Sequence, residues 1–258
     1  MLMGMLPHNP IASFAEANLS QTIFTRQFKN KYKVQAEQFS LQGQTLWLST
    51  ERGIYWEEQK SLIVSDLHFG KTGHFRKSGI AVPQSLYKED MQRLANLLQA
   101  YKPQQLIVVG DLFHSAENKE LDLFKKWRAD FEHLHIILVK GNHDILKHEW
   151  YAGANIAVAD KNFTLDKFCF IHDITDECKT GNADYFISGH VHPCVTIRGL
   201  GRQSISLPCY YFSEKYAVLP AFSKFTGGAA IEQKSSDHVF AIIGNNAAKG
   251  QMACVVKV

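Results

Sequence analysis

Five short apolar runs in this chain each end on a small group of metal-binding residue types. SLIVS (61–65) leads into Asp66 and His68, and QLIVV (105–109) leads into GDLFH, which holds Asp111 and His114. IILV (136–139) precedes GNHD, with Asn142, His143 and Asp144. FCFI (168–171) stops at His172, and YFIS (185–188) precedes GHVHP, with His190 and His192. Apolar runs of four or five residues with polar borders read as buried strands. In open α/β sheets ligands bind beyond the carboxyl ends of strands. Five consecutive strand ends would therefore aim donor groups at one crevice, which restricts the chain to folds in which those ends are neighbours.

The stretches between these runs supply the rest of the architecture. Pro83 opens a segment whose apolar positions Tyr87, Met91, Leu94, Leu98 and Tyr101 step by four and three, predicting a helix with one buried stripe. Leu121, Phe124, Trp127 and Phe131 mark a second helix. Strand, helix, strand, helix, strand predicts a right-handed, largely parallel core. Ahead of it, FSL (39–41), LWL (46–48) and IYW (54–56) read as short strands separated by Gln-Gly-Gln and Glu-Arg-Gly turns. After residue 168 short strands follow with few helical periods between them, predicting a second, more antiparallel sheet. The expected class is α/β, a two-sheet β-sandwich flanked by helices, as one domain over residues 34–258. Residues 1–33, broken by Pro7 and Pro10 and basic at Arg26, Lys29, Lys31 and Lys33, read as a solvated extension rather than a binding arm.

Composition excludes several classes. Hydrophobic residues at 45% and charged residues at 21% give the chain enough apolar surface to fold, so it is not a disordered polymer. No apolar run approaches the roughly 18 residues of a membrane span. The N-terminus shows no basic region ahead of an apolar stretch, so no secretory signal is read there. The cysteines (Cys169, Cys178, Cys194, Cys209, Cys254) are odd in number and contain no CxxC pair, which reads as reduced thiols in a cytoplasmic protein. Cys194 and Cys209 read as packing residues, and Tyr210, Tyr211 and Phe212 as a buried strand rather than a base-stacking platform. The net charge of +3 neither demands nor excludes an anionic partner.

Each polar motif alone fits a turn or a strand edge. As an ordered set they do not, because burying so many polar groups together is costly unless a metal or a charge network satisfies them. Two carboxylates, one amide oxygen, four imidazoles and no thiolate suit manganese, iron or zinc better than calcium or a structural zinc. These seven side chains exceed what one ion needs if a position stays open for water. With one carboxylate bridging, they suit two ions roughly 3.5–4 Å apart. Such a centre keeps a net positive charge, which favours an anionic phosphate.

DLHFGK, GDLFH, GNHD, an isolated His and GHVHP, in this order, resemble the calcineurin-like metallophosphoesterase superfamily, whose fold is an αββα sandwich. Tyr55 and Trp56, FRKSGI (75–80), LPAF (219–222) and FTGG (225–228) narrow the resemblance to the ligase-associated DNA damage response endonuclease group called PdeM. The resemblance covers residues 39–228. It implies Asp66, His68 and His192 on a first metal, Asn142, His172 and His190 on a second, and Asp111 bridging both. It implies that His143 stabilises the transition state or protonates the leaving oxygen, and that Asp144 holds the His143 imidazole in its tautomer. His114 takes either a place near the substrate or a structural hydrogen bond. Lys71 and Arg76 match the group's pattern and are expected to contact substrate phosphates, with Lys77 more weakly placed.

The activity so implied is a dimetal phosphodiesterase or nuclease acting on DNA during repair, with two divalent ions, manganese first and zinc or iron as alternatives. A phosphomonoesterase or nucleotide pyrophosphatase would use the same site, and a non-catalytic scaffold would have lost ligands that this chain keeps. A DNA ligase or helicase partner is implied by the resemblance alone, and no membrane partner is expected. Diesters are expected over monoesters, and single-stranded or flexible DNA ends over intact duplex, because so small a positive charge supplies few phosphate contacts.

Overall fold

A tight hairpin starts the described chain. β1 (Ala36–Leu41) and β2 (Gln44–Ser49) pair antiparallel. The two residues between them, Gln42 and Gly43, both have positive φ (52° and 74°), the turn geometry that matches strand twist. β3 (Ile54–Trp56) and β4 (Ser61–Val64) continue the antiparallel meander. β5 (Gln105–Val109), β6 (His135–Val139) and β7 (Ile156–Ala159) then add in parallel, giving a seven-stranded sheet in sequence order. The computed structural model describes residues 34–77, 79, 81–83, 85–114, 119–175, 184–199, 203–244 and 252–258. The expected extension over residues 1–33, Cys178 and the Lys77 side chain lie outside them.

Helices make the parallel crossovers. α1 (Lys71–Lys77) and α2 (Ser85–Tyr101) lie between β4 and β5, α3 (Lys119–Ala129) between β5 and β6, and α4 (His148–Gly153) between β6 and β7. The stripe Tyr87, Met91, Leu94, Leu98 and Tyr101 of α2 is buried as its spacing predicts. With Leu121 and Phe124 of α3 it covers Leu62, Val64, Leu106, Val108 and Leu138 on one face of the sheet. The alternate residues Ile63, Ile107, Val109 and Val139 face the other way. Strands buried on both faces explain why these runs are continuously apolar instead of alternating.

The second sheet has nine strands: β8 (Asn162–Leu165), β9 (Phe168–Ile171), β10 (Tyr185–Ser188), β11 (Pro193–Arg198), β12 (Ser204–Phe212), β13 (Tyr216–Val218), β14 (Ala229–Ala230), β15 (His238–Ile243) and β16 (Cys254–Lys257). Its order is β14-β11-β12-β13-β10-β9-β8, with β15 on β12 and β16 on β15. Most pairs are antiparallel, but β9, β10 and β13 run parallel to one another and β14 pairs parallel with β11. Phe168, Phe170, Tyr185, Tyr210, Phe212 and Phe240 meet the first sheet in a shared apolar core. Fully burying each such ring contributes on the order of 1.5–3 kcal/mol. Tyr210, Tyr211 and Phe212 are buried in β12, as their packing assignment expected. Among the described residues the helices α2, α3 and α4 join the cluster on the first sheet's outer face. The corresponding cluster on the second sheet, around Cys209, Tyr211, Val218 and Val239, contains no helical residue.

Sequence patterning passed over α1, α4, β7, β8, β13 and β14. α1 is only seven residues long, with Gly73 a weak helix former inside it and no apolar stripe, and the strands β13 and β14 are only three and two residues long. β4 ends at Val64, so Ser65 opens the site loop instead of closing the strand.

Candidate metal centre

The residues that follow β4, β5, β6, β9 and β10 converge. Asp66, His68, Asp111, His190 and His192 all adopt positive φ, between 50° and 65°. For non-glycine residues that conformation costs on the order of 1–3 kcal/mol and persists only where the surroundings over-determine it. Here it turns each side chain back over its strand end. Two glycines leave the necessary room. A Cβ on Gly110 would lie 1.8 Å from Nδ1 of His172, and one on Gly141 would lie 2.3 Å from Oδ1 of Asp111.

Two donor groups result. In the first, one donor atom each from Asp66, His68 and His192 lies within 4.8 Å of the others. Asp66 is fully buried and accepts the His190 backbone N–H at 3.1 Å, while its Oδ1 lies 3.3 Å from Nε2 of His192. The Nδ1–H of His192 faces the Gly227 carbonyl at 3.1 Å, a tautomer that leaves the Nε2 lone pair free for a cation. His68 is 5% exposed, and among the described residues neither of its ring nitrogens has a hydrogen-bond partner. Burial pushes its pKa down to about 3 against the pull of Asp66 and Asp111, so the ring is a neutral imidazole. A buried neutral imidazole with an unmatched nitrogen can offer that lone pair to a cation, so its placement fits a metal ligand.

The second group joins Asp111, His172 and His190, again within 4.8 Å. His172 directs Nδ1 to the Val109 carbonyl at 3.2 Å. Its Nε2 lies 3.1 Å from Oδ1 of Asn142, 3.1 Å from Nδ1 of His190 and 3.5 Å from Oδ2 of Asp111. One nitrogen cannot satisfy three such neighbours, whereas a cation among them would. Burial disfavours the His172 cation, yet the hydrogen bond and charge of Asp111 outweigh it and hold the pKa up at about 9. Asp111 shows the converse. Burial raises its carboxyl, and His172, the His143 N–H and His68 outweigh that, leaving it at about 2. The centre draws in positive charge.

Asp111 faces both groups, with Oδ2 3.5 Å from His172 and 3.9 Å from Nδ1 of His68, while Oδ1 accepts the His143 backbone N–H at 2.9 Å. His143 stands at the rim, its ring centroid 5.5 Å from that of His68 and 4.4 Å from that of His114. Both expected non-ligand histidines thus border the donor groups. Lys71 is half-buried; burial lowers its ammonium pKa and the charges of Asp111 and Asp66 raise it.

Two expected roles need correction. Asp144 does not reach the His143 imidazole. Its carboxylate accepts the backbone N–H groups of Phe113 at 3.0 Å and Gly141 at 2.9 Å, tying the GNHD turn to the GDLF turn. Burial pushes its pKa up to about 7 despite those two hydrogen bonds. Arg76 is engaged in the scaffold: its guanidinium meets Glu120 at 3.1 Å and the Val82 carbonyl at 3.2 Å. Glu120 also accepts the Gly70 N–H at 2.8 Å, so the pair anchors the start of α1 to α3.

Other contributors had been given no role at the site. Asp173 lies 3.6 Å from Nε2 of His190, and only its position directly after His172 could have flagged it. Gly227 acts through its carbonyl on His192, and Phe225 packs its ring 5.5 Å from that of Phe75 in α1. Cys194 packs against Gly228, where a Cβ would lie 2.2 Å from Sγ. Cys209 is buried and pushed up to about 12, consistent with packing roles for both thiols.

Residues 60–173 match the family model for calcineurin-like phosphoesterase. The chain therefore carries a calcineurin-like phosphoesterase domain and is a metal-dependent hydrolase. It is similar to the crystal structure of nuclease MPE from Pseudomonas putida, with 29% identity, a TM-score of 0.68, and coverage of 86% of this chain and 100% of that one. A protein of unknown function from Aquifex aeolicus aligns over 51% of this chain and 78% of its own, at 19% identity and a TM-score of 0.37. No curated protein matches the chain in sequence. The matched family stretch contains Asp66, His68, Asp111, Asn142, His143 and His172 but stops before His190 and His192. Those two are joined to the site by the geometry.

Proposed function

We propose that this chain is a two-metal phosphodiesterase that cleaves nucleic acid, DNA in the first instance. The observation that carries the reading is the pair of adjoining donor groups with Asp111 facing both. Similarity to a nuclease over 86% of the chain supports a nucleic-acid substrate. Asp66, His68 and His192 hold one ion, and Asn142, His172 and His190 the other. Manganese, with zinc or iron as alternatives, suits this mixed oxygen and imidazole set. Bound there, two divalent ions would draw charge from the phosphoryl oxygens and lower the pKa of water.

The chain's own residues do the rest. His143, on the rim and next to Asn142, delivers a proton to the leaving oxygen. His114, beside the His143 ring, limits where that ring can turn. Lys71, half-buried at the start of α1, takes a non-bridging phosphate oxygen. Asp144, by clamping two turns, keeps Asp111 and His143 in register. A diester monoanion gains most of its charge on the way to the transition state, where stabilisation raises the rate. A role in DNA repair, a ligase or helicase partner and a cytoplasmic location rest on the resemblance to the repair nuclease group.

A panel crossing manganese, zinc, magnesium and iron with a small diester, a phosphomonoester, single-stranded DNA and duplex DNA tests this reading. Turnover of the diester and of single-stranded DNA ahead of the other two is expected. Faster turnover of the monoester than of any diester would overturn it in favour of a phosphomonoesterase.

A further inference from the structure

Residues 219–223 cross from one core to the other directly behind the first donor group. Leu219 is buried in the core between the sheets, and Phe222 is buried in the core under the helices. Between them the chain passes over the carboxyl end of β4. There the Phe222 N–H donates to the Ser65 carbonyl at 2.8 Å and the Ser223 N–H donates to the Asp66 carbonyl at 3.2 Å. Asp66 is one of the residues held at positive φ, so this strap braces the backbone at a strained ligand position.

The strap is in turn gripped by two arginines far away in sequence. Arg52, in the β2–β3 turn, donates from one nitrogen to the Ala221 carbonyl at 3.0 Å and the Ser223 carbonyl at 2.9 Å. Arg93, buried in α2, donates to the Phe222 carbonyl at 2.9 Å and stacks 4.4 Å over the Phe222 ring. Arg93 is itself fixed by Asp90 at 2.9 Å and by Glu51 at 3.0 Å. Burial and the neighbouring Arg93 cation hold Arg52 down to about 10, a cost that its two carbonyl partners and the nearby Asp90 carboxylate offset. These contacts run to the strap's backbone carbonyls, and an apolar strap would be enough to fill the space. What the two guanidinium groups add is direction: each aims at backbone oxygens of the segment that holds Asp66.

We infer that Arg52 and Arg93 are positioning residues that set the affinity of the first metal site, acting on Asp66 through the 219–223 strap. The inference rests on the two-metal reading above. The strap's tie to the second donor group is less direct: the Leu219 N–H donates to the Ser188 carbonyl at the end of β10, two residues before His190, whereas Arg52 and Arg93 grip residues 221–223 beside Asp66, so the larger effect should fall on the first site.

The test is a manganese titration of the full chain by calorimetry, with thermal melting in parallel. Arg52→Met and Arg93→Met keep the aliphatic stem and remove the donors; Arg52→Lys restores one donor. Phe163→Ala, in β8 and remote from the strap, serves as a comparably destabilised control. The methionine variants should weaken the first site by roughly 10- to 100-fold, the range seen when groups behind a metal ligand are removed. The second site should weaken clearly less than the first. Arg52→Lys should recover part of the loss, and it carries the test if a methionine variant does not fold. Unchanged titrations in variants that fold, or equal weakening of both sites as in Phe163→Ala, would overturn the inference. A wild-type chain binding fewer than two ions would instead defeat the two-metal reading, so the two failures are distinguishable.

Discussion

The two donor groups both face Asp111 but are built differently. Around Asp66, His68 and His192 the surroundings are closed: Asp66 is fully buried, His68 nearly so, and the His192 side chain is 19% exposed. Around Asp111, His172 and His190 the floor is equally deep, but the outer wall opens, with the His190 side chain 41% exposed and Asn142 exposed as well. The first group is braced from behind by residues 219–223. The second is held from below by the Val109 carbonyl and from the side by Asp173. A closed, braced site and an open one, joined at Asp111, suggest a division between holding and exchange.

Breaking the shared residue should have the largest effect. Asp111→Asn removes the carboxylate that both groups face, so turnover should vanish and metal content fall, read by elemental analysis of the purified variant. Near-normal rate with full metal would separate the groups entirely. The next test contrasts the two walls. His68→Ala opens a hole in a fully packed region and should lose the first ion along with about 2–4 kcal/mol of stability, as other large-to-small changes at buried positions do. His190→Ala, half in solvent, should lose the second ion with less than about 1 kcal/mol of stability change. Chemical denaturation with metal analysis checks both, and similar stability losses would erase the contrast.

Much of this centre is legible in the sequence. The ligand candidates directly follow buried strands, and a strand end fixes where the next side chain can point. That is why Asp66, Asp111, Asn142 and His172 could be read together. Asp144 was misread because adjacency to His143 in sequence says nothing about where its carboxylate turns; two unmatched N–H groups at Phe113 and Gly141 captured it instead. Arg76 and Lys71 share a helix, yet only the structure shows Glu120 claiming one of them. The strap was invisible for a deeper reason. Its contacts run through backbone carbonyls, which every residue carries, so LPAFS has no letter that reports them.

Smaller effects sharpen the picture at the rim. His143→Ala should keep both ions while lowering the rate by something like 10²–10⁴, the range for a lost general acid or base. Loss of metal in that variant would make His143 a ligand. Lys71→Ala should weaken DNA cleavage and reduce its salt dependence while sparing a small diester, because a single phosphate contact adds about one unit to the salt slope. Equal losses on both substrates would move Lys71 into the chemistry itself. Removing residues 1–33, which carry none of the ligand candidates, should change the turnover of a small diester least of all.

The account stands most directly on the claim that the two groups form one coupled centre through Asp111. Electron paramagnetic resonance of the manganese-loaded chain measures that coupling. An exchange-coupled spectrum from two ions, replaced in Asp111→Asn by signals of isolated ions or none, is the expected result. Two magnetically independent ions in the wild-type chain, unchanged by Asp111→Asn, would contradict it.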